Sequence, residues 1–100
     1  MNMPRITLTT ASTVYNLYTL VNALEPQAVN CSQVFVTADP TNTGNVFVGD
    51  SAVSTTQYGA KLPATASVGF EGNFNSTQLD TIYLMPDTTL SLVDVIIQRI

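Results

Sequence analysis

The chain has 100 residues and a mass of 10.7 kDa, enough for one domain that buries roughly two thirds of the surface its unfolded chain would expose. Charged residues make up 10% and hydrophobic residues 45%, so its polar surface must come from Ser, Thr, Asn and Gln rather than from charge. With a net charge of -4 and three scattered cations, Arg5, Lys61 and Arg99, there is no basic patch to neutralise phosphates, which argues against nucleic acid and anionic membranes as partners.

Residues 5–9, RITLT, alternate and are β-branched, which predicts a short first strand started by Pro4. The period then changes. Val14, Leu17, Tyr18, Val21 and Leu24 recur at spacings of three and four, with Ser12 or Thr13 where an N-cap is wanted, and predict a helix over about 13–24. Pro26 disfavours the helical region for Glu25 and should end it. Everything after that reads as strand and turn: SQVFVTA (32–38), NVFVGD (45–50), SVGFEG (67–72), DTIYLM (80–85) and LSLVDVIIQRI (90–100). The turns between them are DPTNTG, GDS, NFNS and MPDTT.

A single domain, 1–100, is therefore expected: an N-terminal strand and helix over 1–26, then a β-sandwich over 27–100. The fold class is mostly β, a jelly-roll-like sandwich with one short N-terminal helix. The last strand carries Leu90, Leu92 and Ile96 on one side and Val93, Val95 and Ile97 around them, so both its faces read as buried, by a central position or by a subunit contact. No window approaches the ~18 apolar residues of a membrane span, and MNMPRITLTT has no apolar signal-peptide core, so a soluble chain made in a cytoplasm is expected.

Each motif that suggests chemistry has a plainer reading. Gly49-Asp50-Ser51 matches the nucleophile triplet of some esterases, but that serine needs a histidine-like base and the chain has no histidine. A turn, with Gly49 at positive φ and Asp50 bonding its own backbone two residues on, fits better. Residues 39–50 place Asp39, Gly44, Val46 and Asp50 where a calcium loop has its first, sixth, eighth and twelfth positions. Thr41 and Thr43 stand where ligands are needed, so a hairpin turn with Gly44 in the left-handed region is expected instead. Asp80, Asp87 and Asp94 are seven apart and read as solvated carboxylates rather than a glycosidase pair. Among the aromatics, Tyr15, Tyr18, Phe35, Phe47 and Phe70 read mostly as core, while Tyr58 and Phe74 are the two expected to be exposed and could form a sugar-binding platform. The lone Cys31 cannot form an internal disulfide, and without histidine no Cys/His zinc set exists. No catalytic, cofactor-binding or metal residue is assigned, and no cofactor is expected.

In TNTGNVFVGDSAVSTTQYGAKLPATASVGFEG, followed by IYLMPDTTLSLVDVII, the chain resembles small tailed-bacteriophage virion proteins of the capsid decoration, or cement, type. The shared devices are N-T-G-x-V-x-V-G-D-S-x-V, a stretch ending G-x-x-L-P, then I-Y-L and a closing alternating strand, spanning residues 33–99. Where many such sequences have Pro-Gly, this one has Pro63-Ala64-Thr65. The resemblance implies a compact β-sandwich that binds and strengthens the outside of a capsid shell without catalysis, often as a trimer. The implied partners are the major capsid protein and further copies of the chain, on the virion surface. The alternative is a receptor- or carbohydrate-binding module of a tail or fibre.

Overall fold

The computed structural model describes residues 4–24, 30–71 and 77–98. Along them run β1 (Arg5–Leu8), β2 (Tyr15–Asn16), α1 (Leu17–Leu24), β3 (Asn30–Cys31), β4 (Gln33–Ala38), β5 (Val46–Gly49), β6 (Ala60–Leu62), β7 (Ser67–Glu71), β8 (Thr77–Gln78), a single 3-10 turn (Leu79–Thr81), β9 (Tyr83–Pro86) and β10 (Ser91–Gln98). The long strands form two four-stranded antiparallel sheets, β1-β10-β4-β7 and β2-β9-β5-β6, and β3 pairs with β8 in a two-residue ladder. The mostly-β expectation with one helix holds.

Alternation sets which side chains go inward in the first sheet. Ile6 and Leu8 of β1, Val34, Val36 and Ala38 of β4, and Val93, Val95 and Ile97 of β10 are all buried in one cluster. Val46, Val48, Leu62 and Leu84 of the second sheet belong to the same cluster, as do Leu17 and Val21 of the helix. Burying a Val, Leu or Ile side chain is worth about 1.5–3 kcal/mol, so this shared cluster dominates the stability of the fold. The central-strand reading of the last segment is correct, because β10 lies between β1 and β4. Only one of its faces is buried, however, and Ile96 stands on the other. β1 pairs with β10 in register Arg5↔Asp94 to Leu8↔Ser91, so the N-terminal strand is an edge of the first sheet rather than an addition to it.

The hairpin expected between 32–38 and 45–50 does not form, because β4 and β5 belong to different sheets. The 39–45 connection is held instead by distant chain. Asn42 and Leu92 exchange two bonds, Nδ2 to the Leu92 carbonyl at 2.8 Å and the Leu92 N–H to Oδ1 at 2.8 Å, and the Asn45 N–H donates to Asp87 Oδ1 at 2.7 Å. Gly44 is not in the left-handed region. Its glycine is needed for room: a β-carbon there would collide with the Asp87 carboxylate and lie 2.6 Å from Thr88 Cγ2.

The helix starts four residues later than the apolar spacing implies. Tyr15 and Asn16 are extended and pair with Leu84 and Tyr83 of β9, and Asn16 rather than Ser12 or Thr13 caps the helix, its Oδ1 accepting from the Thr19 N–H at 3.1 Å. A free backbone edge on β9 outweighs another helical turn, and asparagine is among the best N-caps. Val14 consequently lies outside the helix and is exposed. Leu17 and Val21 are buried within the chain itself, so the helix packs on its own domain. The expected stop at Pro26 lies outside the described residues.

Candidate functional site

Two surfaces carry side chains that the core does not consume: the outward faces of the two sheets. On the first sheet, the residues between the buried positions form cross-strand rows. Arg5, Asp94, Thr37 and Ser67 make one row, and Ile96, Phe35 and Gly69 make the next. Phe35 is 42% exposed and Ile96 37%, large apolar side chains standing side by side in the middle of a sheet. The Phe35 ring lies over Gly69, where a β-carbon would come 2.5 Å from Cε1, so the glycine on the edge strand lets the ring lie down across it. Phe35 was expected in the core; its neighbours Val34 and Val36 take that side, which leaves Phe35 out of phase.

The cation of the charged row is paired within the chain. Arg5 Nε donates to Asp94 Oδ1 at 2.7 Å, and Arg5 Nη2 reaches Asp39 Oδ1 at 2.9 Å. Asp39 is buried, and its other oxygen accepts from the Thr41 N–H at 3.0 Å and from the Thr41 hydroxyl. The Thr41 donors, with the nearby Arg5 charge, hold the Asp39 carboxyl below its usual range, and the hydrogen bond and charge of Asp94 push Arg5 higher still. Asp39, the first position of the supposed calcium loop, thus serves a guanidinium and a turn. Among the described residues no three of His, Cys, Asp and Glu gather as a metal site.

On the second sheet the outward face is closed. Phe47 and Met85 point away from the main core, yet are buried with Val53 beneath the 50–59 loop, with Tyr83 packed against them. Tyr58 adds its ring to Phe47, centroids 5.0 Å apart at 56°. The loop is built from local turns. Asp50 Oδ1 accepts from the Ala52 N–H at 2.9 Å, Ser54 Oγ accepts from the Gln57 N–H at 3.1 Å, and the Gly59 N–H returns to the Val48 carbonyl at 2.8 Å. The Gly49-Asp50-Ser51 triplet is a corner, as the sequence suggests, and Asp50 bonds the backbone two residues on as expected; the role of Gly49 differs. Gly49 has no positive φ; a β-carbon on it would crowd Val53 Cγ2 at 3.2 Å. Ser51 is exposed on that corner.

The remaining candidates do not assemble. Asp87 is taken up by Asn45 and Asp94 by Arg5, while Asp80 sits in the 3-10 turn. Of the two aromatics expected at the surface, Tyr58 is 45% exposed and Phe74 lies outside the described residues. Cys31 is buried, and burial pushes its thiol up, away from a reactive thiolate. No helix among the described residues is long and apolar enough to cross a membrane. No family model, curated protein or solved structure matches the chain.

Proposed function

We propose that this protein is a non-enzymatic structural component of a tailed-phage virion, a decoration or cement protein that docks on the capsid shell through the outward face of its first sheet. The observation that carries the reading is the Phe35–Ile96 pair, exposed on a four-stranded face where Arg5 is paired with Asp94 and Asp39. The apolar pair on such a face gains contact when covered. The strand orders 1-10-4-7 and 2-9-5-6 also favour a jelly-roll sandwich, an architecture common in viral shells. Many weak copies of such a contact add through symmetry, which suits an oligomer, with a trimer favoured. The major capsid protein is the proposed partner and the outer capsid surface the proposed location.

The test is sedimentation of the purified protein, alone at micromolar concentration and mixed with shells lacking it. Wild type should self-associate and co-sediment, whereas Phe35→Ser with Ile96→Ser should do neither while remaining folded. A strict monomer that never pellets with shells would count decisively against the reading.

A further inference from the structure

The closed side of the molecule has an opening of its own. Gly49, Asp50, Gln57, Tyr58 and Gly59 line a depression of about 280 Å³. Through Gly49, Asp50 and Gly59 it runs into a second cleft of about 300 Å³, with apolar walls that include Val48, Val68, Phe70 and Ile82. The two volumes lie at or just below the lower bound of the ~300–1,000 Å³ of ligand pockets, room for one ring and a substituent. We infer that this pair of clefts is a binding subsite for a single uncharged sugar ring, with an apolar substituent of the sugar seated in the second cleft. The inference is independent of the virion reading, since none of these residues lies on the outward face of the first sheet.

The chemistry comes from what the fold leaves unused. Tyr58 leans on Phe47 yet stays nearly half exposed, so its ring offers an apolar platform to the C–H face of a pyranose. Asp50 spends Oδ1 on the Ala52 N–H, and Oδ2 has no partner among the described residues, a strong acceptor for sugar hydroxyls. The Gln57 backbone is fixed by Ser54, but its side-chain amide has no partner among the described residues and can both donate and accept. Gly49 and Gly59 complete the lining with backbone alone. One ring, one carboxylate oxygen and one amide match a neutral polyhydroxylated ring better than other small ligands. An anion meets Asp50 with no cation lining the depression, and a quaternary amine finds one aromatic ring where an aromatic cage uses several.

Amide NMR of the full chain, titrated separately with N-acetylglucosamine, glucose and tetramethylammonium, tests the inference. Shifts with the two sugars should fall on residues 49–50, 57–59, 68 and 70. The acetamido sugar should bind about fourfold more tightly than glucose, the factor for burying one methyl-sized group. Gln57→Ala should weaken binding about fivefold, the worth of one hydrogen bond. Asp50→Asn, which keeps an acceptor for the Ala52 N–H, should also weaken it. Because Tyr58 also covers Phe47, Tyr58→Ala is read only alongside these two variants. Absence of shifts with both sugars, shifts confined to other surfaces, sugar affinity unchanged in Gln57→Ala and Asp50→Asn, or tighter binding of tetramethylammonium than of either sugar would each overturn it.

Discussion

The two sheets solve the same problem in opposite ways. Each has large apolar residues pointing away from the main core: Phe35 and Ile96 on the first, Phe47 and Met85 on the second. On the second sheet the ten residues from 50 to 59 fold back over that face, with Val53 inserted and Tyr58 closing the edge. On the first sheet the described residues provide no such flap; the Phe35 ring lies across Gly69 and the charged row closes on itself. An apolar face can therefore be buried by the chain's own loop or left for association, and the deciding feature is whether a long connection is available beside it. β5 and β6 are adjacent strands joined by a loop far longer than a hairpin requires, and the surplus serves as the cover.

Substitutions that separate the two faces test this contrast. Phe47→Ala should have the largest effect, about 3–5 kcal/mol lost in a denaturant melt, because it empties a site closed from both sides. Phe35→Ala should cost only about 1 kcal/mol, since the ring is half exposed and loses mainly its contact with Gly69 and its cross-strand neighbour. Equal losses at the two positions would erase the distinction between a covered and an open face.

A smaller effect tests the passage from one sheet to the other. The 63–66 turn joins β6 to β7 and is closed by the Ala66 N–H bonding the Pro63 carbonyl at 3.0 Å. Thr65, at its third position, has φ 74, where a type II turn favours glycine. Relief of left-handed strain, ~1–2 kcal/mol, outweighs the added freedom of glycine in the unfolded chain, so Thr65→Gly should stabilise by about 0.5–1 kcal/mol. A lower melting temperature in that variant would show that the threonine side chain contributes more than its strain costs.

Acid should loosen the two faces unequally. Asp39 has its carboxyl lowered in the folded state, so the stability it contributes is present above the unfolded value, ~3.9, and is lost as pH falls through the folded value. Its partner Arg5 also pairs with Asp94 and so ties β1 to β10, whereas the 50–59 cover of the second sheet packs through Phe47, Val53 and Met85. Amide protection, taken relative to the intrinsic exchange rate at each pH, should therefore fall in β1 and β10 before β5 and β9 between neutral pH and about pH 3, just below the unfolded carboxyl value. Simultaneous loss of protection in both sheets would show that the charged row does not act locally.

What the sequence determined by itself is whatever depends on neighbours a few residues away. Alternation in QVFVTA and SLVDVII places Val34, Val36, Val93 and Val95 on one side, and the same alternation, read strictly, already puts Phe35 and Ile96 on the other. The apolar spacing of Leu17 and Val21 locates the helix, and Asp50 with the residues after it makes the corner that its type predicts. Only the tertiary structure decided which sheet each strand joins. Segments 32–38 and 45–50 look like the arms of a hairpin because the turn signal between them is local, but Asn42 and Asn45 find better partners in Leu92 and Asp87, more than forty residues away. The same holds for the start of the helix, where the open edge of β9 claims Tyr15 and Asn16, and for Gly44 and Gly49, whose small size answers to Asp87 and Val53 rather than to a backbone angle. Local periodicity determines which side of a strand is apolar; the hydrogen bonds and collisions that choose its neighbour come from residues that only folding brings near.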